Sequence, residues 1–587
     1  MTYILNHINE PQDLKKLNGE QLNRLASEIR EALIKRVSIT GGHFGPNLGI
    51  IEATIALHYV FNSPIDKMVY DVSHQCYCHK MLTGRKEGFL DESQFNQFSG
   101  FTNPDESAHD YFKIGHTSTS ISLACGLAKA RDLKGDKENI IAVIGDGSLS
   151  GGEALEGLDY ALELQSNLII VVNDNDISIA ENHGGLYQNL KALRDSNGTY
   201  ECNLFKAMGL DYVFVKDGND IEALVKAFQS VKDSTKPVVV HICTQKGKGY
   251  SIAEQNKEGW HYCAPFDIET GKPIAAHAGE NYSSITADYL LEKMKADPTV
   301  IAITSAGPGI MGFSKEKRKL AGGQLIDVGI AEEHAIGMAS GIATNGGKPV
   351  YGTYSTFLQR TYDQISQDVC INKSPVTILV YGASIYAMRD ITHVGIYDIA
   401  MISNIPDLVY LAPTTKEEYL AMVDWSIEQN EYPVAIRVPA PNVISTGEKV
   451  EIDFGKLNAY QVKQKGSKVA ILALGSFYTL GEEVAEKITS LTGEKPTLIN
   501  PIYVTGVDEK LMESLKKDHD LIITLEDGIL DGGFGEKITR FYGPSDMKVL
   551  NYGYKKTFLD RYNPEEVLEE NRLTVEQIIE DIERLIK

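Results

Sequence analysis

Between Ile141 and Glu181 the chain reads IAVIGDGSLSGGEALEGLDYALELQSNLIIVVNDNDISIAE, and no other stretch constrains the fold so tightly. An apolar run, Ile141 to Ile144, breaks into Gly145-Asp146-Gly147. Helical spacing follows from Gly152 to Leu164, and a second apolar run, Leu168 to Val172, closes in Asn173-Asp174-Asn175. The pattern predicts strand, turn, helix, strand, the unit of a parallel sheet. Both turns then lie at the carboxyl edge, where open α/β folds bind ligands. Asp146 and Asn175 stand 29 positions apart, so the crossover brings a carboxylate and an amide oxygen to adjacent strand ends. Two hard oxygens suit Mg²⁺, which keeps its other positions for water and phosphate oxygens. Glycines at 145, 147, 151 and 152 let a diphosphate approach backbone N–H groups and a helix N-terminus. Either turn alone is ordinary punctuation of a βαβ unit. Together, at this spacing, they predict a clamp for a diphosphate and its metal.

At 587 residues and 43% hydrophobic content the chain can build several cores, and three or four domains are expected. A net charge of −23 disfavours nucleic acid and offers a membrane no polybasic segment. The cysteines at 76, 78, 125, 202, 243, 263 and 370 are odd in number and form no CxxC, which argues against a disulfide framework or zinc site. The N-terminus lacks the pattern of a leader and no apolar run spans a membrane, so a cytoplasmic setting is expected.

Along the chain, Leu17 to Lys35 is helical in spacing, with Asn18 as its cap. It leads into a Gly-rich loop carrying His43. A short strand, Met68 to Val72, ends in Ser73-His74, again at a ligand edge. Gly115-His116-Thr117-Ser118-Thr119-Ser120 opens a helix whose hydroxyls and N–H groups suit an anion, or form a plain cap. Leu193 to Asn203 reads as a mobile loop, and Pro237 to Thr244 as a buried strand running into Gln245-Lys246-Gly247, where Lys246 meets a phosphate or solvent. Residues 256–285 read as a linker. Val300 to Thr304 and Gln324 to Ile330 read as strands, the second leading into Ala331-Glu332-Glu333-His334 and a small-residue helix. That helix is similar to the one after GHTSTS, so the two α/β regions are expected to be weak repeats.

GGHFGPNLG, DVSHQCYCHKMLTGR, IGHTSTSIS, GDG with NDN, TQKGKGY and WHYCAPFD occur together and in order. In this the chain resembles the 1-deoxy-D-xylulose-5-phosphate synthase family, thiamine-diphosphate enzymes of the transketolase superfamily that join pyruvate to glyceraldehyde 3-phosphate. The resemblance implies an α/β fold of three transketolase-like domains, each with a largely parallel sheet flanked by helices. Residues 1–255 would bind diphosphate and Mg²⁺, 286–445 the pyrimidine ring, and 446–587 would form the C-terminal domain of a homodimer. Asp146, Asn175 and the carbonyl of Ile177 would hold the metal. His116, Thr117, Ser118, Gly145, Gly147, Ser148 and Lys246 would lie along the diphosphate. His43, His74, His261 and His393 would line the reaction centre, with His74 also touching the cofactor. Glu332 would hydrogen-bond the pyrimidine N1′ that thiamine chemistry requires, though a carboxylate at a helix start is common for its charge alone. Tyr354, Phe357 and Arg360 would contact the cofactor, Phe357 by stacking.

The chain departs from the family at the acceptor end. The family's Asp-Arg-Ala-Gly-x-x-Gly-x-Asp-Gly-x-Thr-His falls on Tyr381 to His393, and its Arg-Tyr-Pro-Arg-Gly on Arg437 to Pro441. The two arginines that grip the aldehyde's phosphate in the family thus become Gly382 and Ala440, and the acid becomes Arg389 unless a one-residue slip lets Asp390 serve. Arg389, Tyr354 and Ser355 are the candidate substrate contacts. Remaining readings are a ketose-using transketolase, a relative with another aldehyde, or a non-catalytic cofactor binder. A dehydrogenase is excluded for want of a strand followed by GxGxxG.

Overall fold

A computed structural model of the chain describes residues 3–275 and 279–586. The chain divides into two units, Met1–Ala278 with Gly329–Ala331, and Gly279–Val328 with Glu332–Lys587. In the first, the strands are β1 (Gly42–His43), β2 (Lys67–Tyr70), β3 (Ile140–Gly145), β4 (Leu168–Asp174), β5 (Asp211–Val215), β6 (Pro237–Cys243) and β7 (Tyr262–Cys263). β2-β3-β4-β6-β5 form a parallel sheet in that order. β3 and β4 are apolar at nearly every position because both faces are covered. Ala142, Ile144, Ile170 and Val172 pack with the helices Ser120–Lys134 and Gly152–Ala161. Ile141, Val143, Ile169 and Val171 pack on the opposite face with Leu57, Leu224 and Phe228. Asn18 caps the helix Gly19–Thr40, its side chain accepting from the Gln21 N–H at 2.9 Å while Gln21 accepts from Asn18, a capping box.

Several expected boundaries move, each for a local reason. β2 ends at Tyr70 rather than Val72 because Val72 and Ser73 turn into the left-handed region, at φ 56° and 65°. Leu193 to Asn203, expected as a mobile loop, starts inside the helix Gly185–Asp195 and ends on Asn203, whose side chain caps the helix Leu204–Ala207. The strand expected over Gln324 to Ile330 is limited to Leu325–Asp327. The linker expected over 256–285 is a larger correction. β7 returns to pair antiparallel with β1, Gly42 opposite Cys263 and His43 opposite Tyr262, and Trp260 and Phe266 are buried with Phe44 and Tyr250. The burial of two aromatics holds residues 256–275 in the first unit, while 279–285 belong to the second; residues 276–278 lie outside those described.

In the second unit β8 (Val300–Thr304), β9 (Leu325–Asp327), β10 (Lys348–Tyr354), β11 (Thr377–Tyr381), β12 (Val409–Leu411) and β13 (Val434–Arg437) form a parallel sheet ordered β12-β13-β11-β10-β8-β9. β14 (Gln461–Gln464), β15 (Lys468–Ala473), β16 (Thr497–Asn500), β17 (His519–Ile529) and β18 (Lys548–Tyr554) form another, ordered β14-β16-β15-β17-β18, with only β14 antiparallel. Three mainly parallel sheets flanked by helices are the architecture expected. No described helix is long and apolar enough to cross a membrane.

Candidate active site

β3 and β4 are neighbours in register, Gly145 opposite Asn173, so Asp146 and Asn175 leave the sheet at one edge. Asp146 is buried, which pushes its carboxyl up to about 7, and the nearby Asp174 carboxylate adds to the rise. One of its oxygens accepts from Asn182 Nδ2 at 2.9 Å. The Asn175 Oδ1 is buried and accepts no hydrogen bond among the described residues. Such an orphan costs about 1–3 kcal/mol unless a donor or cation meets it. A carboxylate and an orphaned amide oxygen at one strand edge fit a hard divalent cation. Asp176, at φ 63°, turns the chain after Asn175 and carries it on to Ile177. The middle acid of NDN faces elsewhere. Asp174 takes Arg194 Nη1 at 2.8 and 2.7 Å and His241 Nε2 at 2.8 Å. Burial opposes its charge, but these two partners overcome that and hold it below the usual carboxylate range.

The glycines of this edge make room for neighbouring protein atoms. A Cβ at Gly147 would fall 2.9 Å from Ser178 Cβ, and one at Gly151 2.0 Å from Ser118 Oγ. Ser118, expected among the anion donors, turns its own donors into the protein. Its N–H donates to Asp71 Oδ1 at 2.8 Å, its hydroxyl to the Ser148 carbonyl at 2.7 Å, and the Ser120 N–H donates to Asp71 Oδ2 at 3.0 Å. Asp71, following β2, thus accepts the first N–H of the helix and pins a Ser118 that sits at φ 76°. His116 and Thr117 precede this turn, and Ser148 follows Gly147 on the same edge.

Three of the four candidate histidines converge. Ring centroids lie 4.6 Å apart for His43 and His74, 5.7 Å for His43 and His261, and 5.5 Å for His74 and His261. The β1–β7 pairing makes this meeting, since it carries His43 on one strand and sets His261 just before the other. Phe101 and Tyr262 close around His43 at 5.7 and 5.2 Å. Lys246 is buried, donates to the Ser178 carbonyl at 2.7 Å and lies 3.1 Å from His261 Nδ1. Burial pulls Lys246 down to about 7 and, with the Lys246 charge, keeps His261 well below the usual imidazole range.

In the second unit Glu332 opens the helix Glu332–Thr344 and is buried. Burial raises its carboxyl, opposed by the Arg360 guanidinium, whose Nη1 lies 3.6 Å from Oε2. Arg360, expected as a cofactor contact, therefore faces Glu332. Tyr354 ends β10, Ser355 is buried beside it, and Phe357 meets Tyr354 at 6.1 Å and His393 at 5.6 Å, both edge-on. His393 is pulled down to about 4 by burial. Its Nδ1 lies 2.8 Å from Thr392 Oγ1, which donates to Asp390 Oδ1 at 2.8 Å. With that hydroxyl hydrogen on Asp390, Thr392 accepts from Nδ1–H and leaves His393 Nε2 with its lone pair. Asp390, rather than Arg389, is thus linked to His393 through Thr392.

At the acceptor end Gly382 has φ 62°, and a Cβ there would lie 2.8 Å from Tyr354 Cδ1. Arg437 is buried, with Nε on Asp398 Oδ2 at 2.8 Å and Nη1 3.8 Å from Asp527 Oδ2, so its charge is neutralised inside the protein. Arg389 is exposed, and its carbonyl accepts the Arg561 N–H at 2.6 Å. The sequence reading missed Asn47, Asp71, Asn182 and Arg194, whose partners are remote in sequence.

Residues 5–202 and 196–244 match the family described as 1-deoxy-D-xylulose-5-phosphate synthase, residues 280–444 the transketolase pyrimidine binding domain, and residues 458–578 the transketolase C-terminal domain. Among curated relatives, the 1-deoxy-D-xylulose-5-phosphate synthase of Caldanaerobacter subterraneus is 38% identical over 99% of this chain and 98% of its own. That of Clostridium beijerinckii is 39% identical over 99% of both chains, and that of Shouchella clausii 37% over 98% of both. Sequence similarity at this level over essentially the whole length, on a fold whose strand edges carry the clamp, the histidines and the buried glutamate, means that this chain belongs to the 1-deoxy-D-xylulose-5-phosphate synthase family.

Proposed function

We propose that this chain decarboxylates pyruvate and joins the remaining two-carbon unit to an aldehyde, with thiamine diphosphate and Mg²⁺ as cofactors. The observation that carries the reading is the buried, orphaned Asn175 Oδ1 on the strand edge next to Asp146. Asp146, Asn175 and the Ile177 carbonyl would hold the metal. His116, Thr117, Gly145, Gly147, Ser148 and Lys246 would line the diphosphate, and Tyr354 and Phe357 the pyrimidine. When bound, thiamine diphosphate supplies a nucleophilic carbon and an electron sink for loss of CO₂. Glu332, its carboxyl raised by burial, would hold a proton at the pyrimidine N1′. His43, His74 and His261 form a cluster suited to moving protons and binding hydroxyls, and His393 presents Nε2 as an acceptor. Domain roles follow the sequence reading, 1–255 for diphosphate and metal, 286–445 for pyrimidine and 446–587 as the C-terminal domain, in a cytoplasmic homodimer.

The acceptor is glyceraldehyde 3-phosphate or a near relative, held by a remodelled site. Arg437 is locked between Asp398 and Asp527, and Gly382 and Ala440 carry no charge, which leaves exposed Arg389 as the candidate cation on this loop. Bidentate arginine contacts to phosphate contribute on the order of 1.5–3 kcal/mol each. CO₂ release from pyruvate, and kcat/KM for glyceraldehyde 3-phosphate against unphosphorylated glyceraldehyde, should be measured in wild type and Arg389→Ala. A weaker phosphate preference than in relatives, reduced further by Arg389→Ala, is expected. Absence of CO₂ release would sink the donor chemistry. A strong preference untouched by Arg389→Ala would sink the role of Arg389. Light scattering tests the homodimer, and a monomer at working concentration would remove it.

A further inference from the structure

The histidine pair of the first unit is held by a residue whose hydrogen bonds go to backbone and not to the rings. Asn47 is fully buried, at 0% exposure, in the turn after His43. Its Nδ2 donates to the His43 carbonyl at 2.8 Å and to the His74 carbonyl at 2.7 Å, and its Oδ1 accepts the Tyr77 N–H at 3.0 Å. One amide therefore ties the backbones of both histidines, 31 residues apart in sequence, to each other and to the helix Tyr77–Lys80. The rings they carry stand 4.6 Å apart.

The backbone entering His74 needs such a tie. Val72 and Ser73 are successive non-glycine residues at φ 56° and 65°, and a β-branched residue in that region is a true outlier. Strain of this kind persists only where neighbours over-determine it, and it gathers at functional sites. From one side Ser73 Oγ donates to the Ile114 carbonyl at 2.7 Å and accepts the Thr102 N–H at 3.0 Å. From the other, Asn47 takes the His74 carbonyl. We infer that Asn47 is a positioning residue for the reaction, setting the spacing of His43 and His74 by holding the strained Val72–His74 backbone in place. This rests on the proposed role of the two histidines in the reaction centre.

The test uses the full-length, cofactor-loaded enzyme and the variants Asn47→Ala and Asn47→Asp. Asn47→Asp keeps the size and the bond from Tyr77 but loses both donors, and it carries the test if Asn47→Ala does not fold. Misplacing a reacting group by about 1 Å can cost about a hundredfold in rate. Accordingly kcat should fall about a hundredfold, while KM for pyruvate and the Kd for thiamine diphosphate stay within about threefold. In ¹⁵N-histidine-labelled protein without cofactor, the imidazole resonances of His43 and His74, assigned from His43→Gln and His74→Gln, should move. Adding Val72→Gly, which adopts positive φ without penalty, should restore at least about tenfold of the lost kcat. A kcat loss no larger than the unfolded fraction, or unmoved imidazole resonances, would overturn the inference. If His43→Gln and His74→Gln both left kcat intact, the reaction-centre reading would fail instead, and the resonances would still decide whether Asn47 sets the rings.

Discussion

The first sheet and the second are the same drawing used twice. Read as β2-β3-β4-β6-β5 and β8-β10-β11-β13-β12, their strands follow one order, and the second differs by the edge strand β9. Their carboxyl edges differ completely. The first carries Asp146, Asn175 and a Lys246 driven toward neutrality, hard oxygens and a cation suited to phosphate and metal. The second carries Tyr354, Phe357, Glu332 and His393, aromatic surface with one buried acid, suited to a flat heterocycle. The weak repeat expected from the two small-residue helices is therefore a repeat of topology. Strand order fixes where an edge lies, and the few residues after each strand decide what it does.

The largest effect should come from the second edge. Glu332→Ala should slow exchange of the cofactor's C2 hydrogen for deuterium by about a thousandfold, within the range of general acid–base contributions, while calorimetry shows cofactor still bound. Undiminished exchange would erase the division of labour between the edges. At the first edge, Asp146→Ala or Asn175→Ala should weaken Mg²⁺-dependent cofactor binding by about a hundredfold or more, with circular dichroism unchanged. Unaltered affinity in both variants would place the clamp elsewhere.

The edges should also differ in pH response. Asp146 is raised from an ordinary 3.8 to about 7, so its protonated form is favoured by folding; that contribution is complete below about pH 4 and is lost as pH rises through 7. The metal-free protein should therefore lose melting temperature between about pH 4 and 7 through this group, and Asp146→Asn should flatten that loss. Mg²⁺ must displace the same proton, so its affinity should rise about tenfold per pH unit below 7 and level off above. His393, pulled from an ordinary 6.5 to about 4, is neutral in the folded protein but charged in the unfolded chain over most of that window, so it adds a slope of the opposite sign, with stability rising as pH rises. A pH-independent Mg²⁺ affinity between pH 5 and 7 would contradict the placement of Asp146. The smallest effect is at Gly382. Its φ of 62° and the 2.8 Å approach to Tyr354 predict that Gly382→Ala costs about 1–3 kcal/mol by thermal melting. Gly382→Arg, which restores the family's arginine, should lose stability as well and leave the KM for a phosphorylated aldehyde unimproved. A variant that grips the phosphate without melting earlier would show this loop to be more permissive than its backbone implies.

How far the sequence could be read depended on whether a feature was local. β3, the helix Gly152–Ala161 and β4 were legible because apolar period and turn residues lie side by side in the chain, and so was the Asn18 cap, which needs only Gln21. Asn47 was not, because its meaning depends on a carbonyl 27 residues away. Asp71 acts on backbone N–H groups 47 and 49 residues on, and Arg194 on an acid 20 residues back. None of these leaves a period or a motif. Within Thr117 to Ser120, composition could not tell that Ser118 turns both its donors into the protein. The 256–285 segment read as a linker because a two-residue strand carries no periodicity and its anchors, Trp260 and Phe266, stand six residues apart with no helical or strand period between them.

The pairing of His43 with Tyr262 also sets a clock. These residues are separated by 262 − 43 = 219 positions, so a ribosome adding about 5–20 residues per second needs roughly 11–44 s after making the first before it supplies the second. Throughout that interval the nascent chain can already hold the Gly19–Thr40 helix and, once Asp174 is made, the β3–β4 pair, while the histidine cluster cannot exist. The edge proposed for the metal can therefore form before the histidine cluster closes, so the two parts of the proposed site need not appear on the nascent chain together.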